Sequence, residues 1–227
     1  TNTHQVNEEF GKISIKTDTA DIFLAASDDE KCTVVCYEKE KLKHSVTVDD
    51  GTLTVNVMDT RKWYDYIDIG FASPKVTVFL PKSEYSSLFI DETTGDVEIS
   101  GELGFESVEI SLSTGDVECY ARATGAVKIA TSTGNVSVEN TSVGSLAVSL
   151  STGDVHISHL ECGGDVSLEL STGQVYLDEI SCKNLVSDAS TGDVSLDSVI
   201  AAEKITIERS TGDVSFRGAD AAELFVK

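Results

Sequence analysis

The chain has 227 residues, 40% of them hydrophobic, with 17 basic against 39 acidic side chains and a net charge of −22. That length can hold a sizeable core. The acidic balance argues against nucleic acid as a partner and against direct docking on an anionic membrane, since both need a basic face.

Taken in chain order, the first alternating run is Ile13, Ile15 and Thr17, leading into Thr19-Ala20-Asp21-Ile22-Phe23-Leu24. Alternation of apolar and polar residues marks a strand with one buried face. Val46 and Val48, then Gly51, Leu53 and Val55, read as a second unit of the same kind, and Val76, Val78 and Leu80, closed by Pro81, as a further run. Between the last two lies Arg61-Lys62-Trp63-Tyr64-Asp65-Tyr66-Ile67, which holds the single tryptophan of the chain. Trp63, Tyr64 and Tyr66 are candidate binding residues for carbohydrate or protein. The favoured reading of the stretch is a plug that closes the open end of a stack.

From there the sequence becomes regular. Gly95, Gly115, Gly134, Gly153, Gly173, Gly192 and Gly212 return at intervals of 20, 19, 19, 20, 19 and 20 residues, each inside a Ser/Thr-Thr-Gly-Asp-like corner. Two residues on sits valine each time, and four on sits Ile99, Cys119, Val138, Ile157, Leu177, Leu196 or Phe216. A second alternating stretch precedes each corner, for example Leu146, Val148 and Leu150 before Gly153, and a short third stretch follows, such as Leu160 and Cys162. Gly125, Gly144 and Gly164 suggest another corner.

A unit of 19 to 20 residues cannot bury its apolar face alone. Stacking such units about 4.8 Å apart pairs each strand with its copies in parallel and makes one continuous interior. The fold expected is therefore all-β: a parallel β-solenoid (β-helix) of single-domain organisation over 1–227. Residues 1–85 form irregular amino-terminal coils with cap-like insertions, and 86–227 the regular stack. Arg209 occupies a place where Leu112, Leu150 and Leu170 point inward; Ser187 and Glu92 are similar exceptions, where distortion or fraying is expected. Ala219 to Leu224 is the one stretch read as a short helical turn.

The candidate chemistry is sparse. Asp96, Asp116, Asp154, Asp193 and Asp213 follow their glycines in one column, interrupted by Asn135 and Gln174. Stacked carboxylates about 5 Å apart repel unless a cation bridges them, so weak calcium binding is one reading. A solvated, hydrogen-bonded turn ladder is the favoured one, because amides bond along a stack where carboxylates cannot. No other metal and no cofactor are expected. His156 and His159 fall on different sides of their strand, which argues against a metal pair. Serines that recur in every coil do not mark a nucleophile, and no Gly-x-Ser-x-Gly elbow occurs. No catalytic residue is nominated. The five cysteines do not make a disulfide framework, and Cys119, Cys162 and Cys182 read as buried free thiols, with Cys32 and Cys36 as the weakly supported pair.

The chain resembles a bacterial family labelled "putative adhesin", of unknown function, which includes the LiaG-like proteins of envelope-stress operons. The resemblance rests on Phe10-Gly11-Lys12-Ile13-Ser14-Ile15, Ala20-Asp21-Ile22, Asp50-Gly51-Thr52-Leu53-Thr54-Val55, Val76-Thr77-Val78-Phe79-Leu80-Pro81 and the serial Ser-Thr-Gly-Asp-Val units. It implies a β-solenoid held outside the cytoplasmic membrane by an amino-terminal helix. No signal peptide or such helix is visible in the sequence, which begins at Thr1 without methionine and so fits either a removed leading segment or a trimmed chain. The resulting expectation is a non-enzymatic, extracytoplasmic surface binding module whose partner is a surface protein or glycan. A structural or envelope-stress scaffold without ligand is the alternative, and a polysaccharide-acting enzyme the distant one.

Overall fold

The alternating runs become strands because each has one side that water must not reach. A computed structural model of the protein describes residues 1–38, 42–59 and 73–227. The amino-terminal strands are β1 (Asn2–Val6), β2 (Lys12–Lys16), β3 (Asp21–Ala26), β4 (Cys32–Tyr37), β5 (Leu42–Asp49), β6 (Thr52–Asp59) and β7 (Lys75–Leu80). The regular stack holds β8 (Glu84–Thr94), β9 (Val97–Ile99), β10 (Gly104–Thr114), β11 (Val117–Cys119), β12 (Arg122–Thr133), β13 (Val136–Thr152), β14 (Val155–Cys162), β15 (Val166–Thr172), β16 (Val175–Thr191), β17 (Val194–Thr211), β18 (Val214–Arg217) and β19 (Asp220–Val226).

The architecture is the expected parallel β-solenoid. From β8 onward every strand pairs in parallel with its copies one coil away, with Val97, Val117, Val136, Val155, Val175 and Val194 in register and almost wholly buried. A second row runs Ile90, Ile110, Ile129, Val148 and Leu168. These rows belong to one core cluster reaching from Ile13 to Ile207. Four successive coils also turn at a column of left-handed residues, Asn140, His159, Glu179 and Ser198, with φ between 50° and 55°. Asn140 and, in the last coil, Gly218 fit the usual preference for that region, whereas His159, Glu179 and Ser198 do not announce it.

Chain order and stacking order differ at the amino-terminal end. Strand β2 lies between β6 and β8, and β3 between β7 and β9. The coil of β2 and β3 therefore sits second, with the later coil of β6 and β7 beneath it. The chain makes one coil, drops below it, then returns above it at β8.

The unit read from Val46 to Val55 is corrected by this arrangement. Strands β5 and β6 form an antiparallel hairpin, with Val46 opposite Val55 and Val48 opposite Leu53. Asp50 and Gly51, at φ 46° and 69°, make its two-residue turn. Positive φ at both central residues matches the right-handed twist of paired strands, which is why Asp-Gly closes hairpins. Only Leu53 and Val55 stack on Ile13 and Ile15. On the other sheet β4 runs antiparallel to β7, and β1 antiparallel to β4. The lower end thus finishes as two short antiparallel edges rather than as further coils.

The expected helical turn at Ala219–Leu224 is also corrected: from Asp220 on these residues lie in β19, parallel to β17. Pairing to the coil below outweighs the weak helical preference of a short Ala-rich segment. At this upper end Phe216, Leu224, Phe225 and Val226 are exposed.

The polar exceptions are not sites of fraying. Glu92 is 2% exposed; its carboxylate accepts hydrogen bonds from the Thr17 hydroxyl and, at 3.2 Å, from the Ala20 amide. Ser187 is fully buried and its Oγ accepts from Arg209 Nη2 at 2.9 Å. Glu92 and Ser187 each meet a polar group from a neighbouring coil, which is how a buried hydrogen-bonding group becomes tolerable, whereas among the described residues Arg209 Nε and Nη1 are buried without a partner. The cysteines Cys32, Cys36, Cys119, Cys162 and Cys182 are all buried free thiols. Burial pushes the Cys119 thiol up to about 11.

Candidate functional site

The corner after each glycine fixes one side chain against the coil below. In the described residues Asp96 N donates to Asp21 Oδ1 at 3.3 Å, Asp116 N to Asp96 Oδ1 at 2.9 Å and Asn135 N to Asp116 Oδ1 at 2.7 Å. The ladder continues with Asp154 N to Asn135 Oδ1 at 3.0 Å, Gln174 N to Asp154 Oδ1 at 2.8 Å and Asp213 N to Asp193 Oδ1 at 2.8 Å. Among the described residues no such bond joins Gln174 to Asp193; a side chain one methylene longer does not reproduce the reach of Asp. Asp21 belongs to the column too, with Lys75 Nζ 3.8 Å from its other oxygen. The Ala20-Asp21-Ile22 corner matches the repeat with alanine in the glycine place, and the structure adds Asp21 to the column.

This ladder makes a testable distinction. Asp116→Asn keeps an acceptor, as Asn135 shows, and is expected to leave stability within about 0.5 kcal/mol. Asp116→Ala removes the acceptor and should cost about 0.5–1.5 kcal/mol in urea unfolding. Equal losses for both variants would mean that charge, not the hydrogen bond, matters at this corner.

A second surface emerges only in three dimensions. On the outward side of β9, β11, β13, β14 and β16, the register aligns Glu98, Glu118, Ser137, His156 and Tyr176. Tyr120 and Glu139 stand beside them. Tyr120 Oη donates to Glu118 Oε2 at 3.0 Å, and burial, that bond and the charges of Glu118, Glu139 and Glu98 push its phenol up to about 12. His156 Nε2 lies 3.9 Å from Glu139 Oε1, and its ring centroid is 6.2 Å from that of Tyr176. Tyr176 is 41% exposed. The result is a strip of two phenols and an imidazole bordered by carboxylates, spanning four coil spacings, or about 20 Å. Sequence reading registered these positions only as the polar half of an alternation. The signal available there was Tyr176 following His156 one coil earlier.

The adjoining sheet carries a shallow groove of about 320 Å³, floored by Ala130, Ala147 and Ser149 and bordered by Glu109, Lys128 and Glu169. Trp63, Tyr64 and Tyr66 lie outside the described residues. His159 Nε2 is 3.4 Å from Glu179 Oε2, so each of the two histidines faces its own carboxylate. The carboxyl with the raised pKa, Glu92, is enclosed in the core rather than set in a cleft. Among the described residues no helix is long and apolar enough to cross a membrane.

Against known families, the Toastrack DUF4097 family matches residues 10–169, more than half of the chain. The chain belongs to the Toastrack DUF4097 family. Two crystal structures extend the Toastrack likeness over the whole chain. One, described as a "putative adhesin" from Bacteroides fragilis, is 19% identical over 100% of this chain and 96% of that one, with a TM-score of 0.52. The other, described as a "putative lipid binding protein" from Parabacteroides distasonis, is 17% identical over 100% and 96%, with a TM-score of 0.56. At these identities the likeness is one of fold. A comparison with curated proteins found no match. This Toastrack chain is thus an all-β repeat domain of a family without assigned function, with structural relatives named for adhesion and for binding.

Proposed function

We propose that the chain is a non-enzymatic, extracytoplasmic binding module of a bacterial cell envelope, and that it takes a surface glycan on its aromatic strip. The observation that carries this reading is His156 and Tyr176 in register on neighbouring coils, with Glu139 beside His156 and the Tyr120–Glu118 pair further down the same face. Aromatic faces stack on the C–H faces of sugars, and carboxylates accept from their hydroxyls. Placement on stacked strands fixes the spacing better than a loop would. The adhesion-related name of a relative with the same fold supports the location and the class of task. A net charge of −22 favours neutral glycans or cationic surface proteins over anionic membranes and nucleic acid. Anchoring to the membrane by a segment outside these residues completes the proposal.

A screen of the intact chain against immobilised glycans and surface proteins tests it. Binding to a glycan that falls about tenfold in Tyr176→Ala, as expected for an exposed aromatic anchor, supports the reading. Binding to a protein that ignores the strip moves the task to another face. Negatives against both classes support the scaffold without extracellular ligand. Turnover of a polysaccharide would restore the enzymatic alternative. Weak calcium binding by Asp96, Asp116, Asp154, Asp193 and Asp213 is a separate proposal. It requires a rise in melting temperature at millimolar calcium that EDTA reverses.

A further inference from the structure

The lower end of the stack closes around a cluster that the aromatic strip does not use. Cys36 ends the inward row of β4 and is fully buried. Glu38 stands two residues on, after Tyr37, and His44 is buried in β5. The Glu38 and His44 side chains are 3% and 1% exposed. One donor atom from each of Cys36, Glu38 and His44 lies within 4.8 Å of the others.

We infer that Cys36, Glu38 and His44 form a binding site for a borderline-soft divalent metal ion of the zinc class. One sulfur, one nitrogen and one carboxylate oxygen match the donors such ions prefer. Tetrahedral coordination at metal–ligand distances of 2.0–2.3 Å sets donors about 3.5 Å apart, so a contraction of about 1 Å closes the set. The surrounding groups are arranged as supports. Glu38 Oε2 accepts from the His44 amide at 2.6 Å and lies 3.0 Å from His44 Nδ1, while its Oε1 accepts from the Asn2 amide nitrogen on β1. Bonds of this kind orient ligands around a metal.

One feature is left over by these bonds: among the described residues His44 Nε2 is buried and has no hydrogen-bond partner. Against the desolvation of burial, the Glu38 carboxylate is already held in its charged form by Asn2 and His44, so it is ready to act as a ligand, and Cys36 gives up its thiol proton to solvent on binding. A bound ion would tie β4, β5 and the Glu38-held end of β1 into one clasp beneath the core.

The experiment titrates the chelator-treated intact chain with Co²⁺, then displaces it with Zn²⁺. Expected are one equivalent of Co²⁺ bound, visible bands of four-coordinate intensity, a thiolate-to-cobalt charge-transfer band, and loss of all three on adding Zn²⁺. Zn²⁺ alone should raise the melting temperature. Cys36→Ser should abolish the charge-transfer band, and His44→Gln should weaken Zn²⁺ at least tenfold against a colorimetric chelator. Absence of the bands in the wild-type chain overturns the inference, as does a charge-transfer band that persists in Cys36→Ser. Should Cys36→Ser fail to fold, Glu38→Gln and His44→Gln decide the matter: unchanged Zn²⁺ affinity in both overturns it.

Discussion

Gly153→Ala is expected to unfold most of the stack at room temperature. Gly153 has φ 140°, and a Cβ built there would stand 1.8 Å from the carbonyl oxygen of Gly134 in the coil below. The carbonyl cannot retreat, because the same corner is held by Gly134 N donating to Thr152 O at 3.1 Å and Gly153 N to Thr172 O at 3.0 Å. Relief requires coils to part by more than 1 Å or so, well beyond ordinary overpacking, which alone costs about 1–3 kcal/mol. Backbone strain at this φ adds about 1–3 kcal/mol, and lost ladder bonds about 1 kcal/mol each. With the two bonds named, the sum is about 4–8 kcal/mol, comparable with the whole stability of many domains.

Two other glycines separate the causes. Gly51, at φ 69° with nothing within 4 Å of its built Cβ, bears only the conformational cost, so Gly51→Ala should lose about 1 kcal/mol. Gly163 has its nearest neighbour at 3.9 Å and no positive φ, and Gly163→Ala should change stability by less than about 0.5 kcal/mol. Urea unfolding of the three variants checks the order. Gly153→Ala as mild as Gly51→Ala would show that the coils are not in contact at this corner.

Glu92→Gln is expected to stabilise the protein above neutral pH and to leave it unchanged in acid. Burial raises the Glu92 carboxyl from 4.5 to about 7, with the Asp18 charge adding to it, against hydrogen bonds from Thr17, Ala20 and Thr94 that lower it. In the unfolded chain the group ionises near 4.5, whereas the folded protein keeps the proton until about 7. Below 4.5 both states are protonated and Glu92 carries no ionisation penalty. As pH rises from 4.5 to 7 the unfolded state alone releases a proton, and stability falls by about 3 kcal/mol. Glutamine cannot ionise, so the difference between variant and parent should grow over that window to about 2–3 kcal/mol at pH 8. Comparing the pair cancels the repulsion among the other acids. A difference that does not vary with pH would mean that Glu92 is not the protonated group.

The regular coils were legible because every one repeats the same constraint. Valine two places after each corner glycine must enter the core, and the glycine itself must accept a carbonyl at its back, so both recur at fixed spacing. The lower end was less legible. Val46, Val48, Leu53 and Val55 alternate as a coil would, and alternation reports only which face is buried, not whether the neighbouring strand runs parallel or antiparallel. Asp50-Gly51 carried the hairpin signal, masked by its likeness to the Gly-Asp corners. The column of left-handed turns at Asn140, His159, Glu179 and Ser198 has no common residue type, so no single residue type in the sequence marks it.

Composition and period by themselves determined the all-β class, the coil length, the inward rows and the surplus of negative charge. Those are local or periodic properties, and each residue bears its own evidence of them. Which distant residues meet was decided by tertiary structure alone. Thr17 reaches Glu92, Ser187 reaches Arg209, and Cys36, Glu38 and His44 converge because the chain turns back beneath its first coil before climbing again. The aromatic strip depends likewise on register between coils, where a shift of one residue would turn Tyr176 to the opposite face.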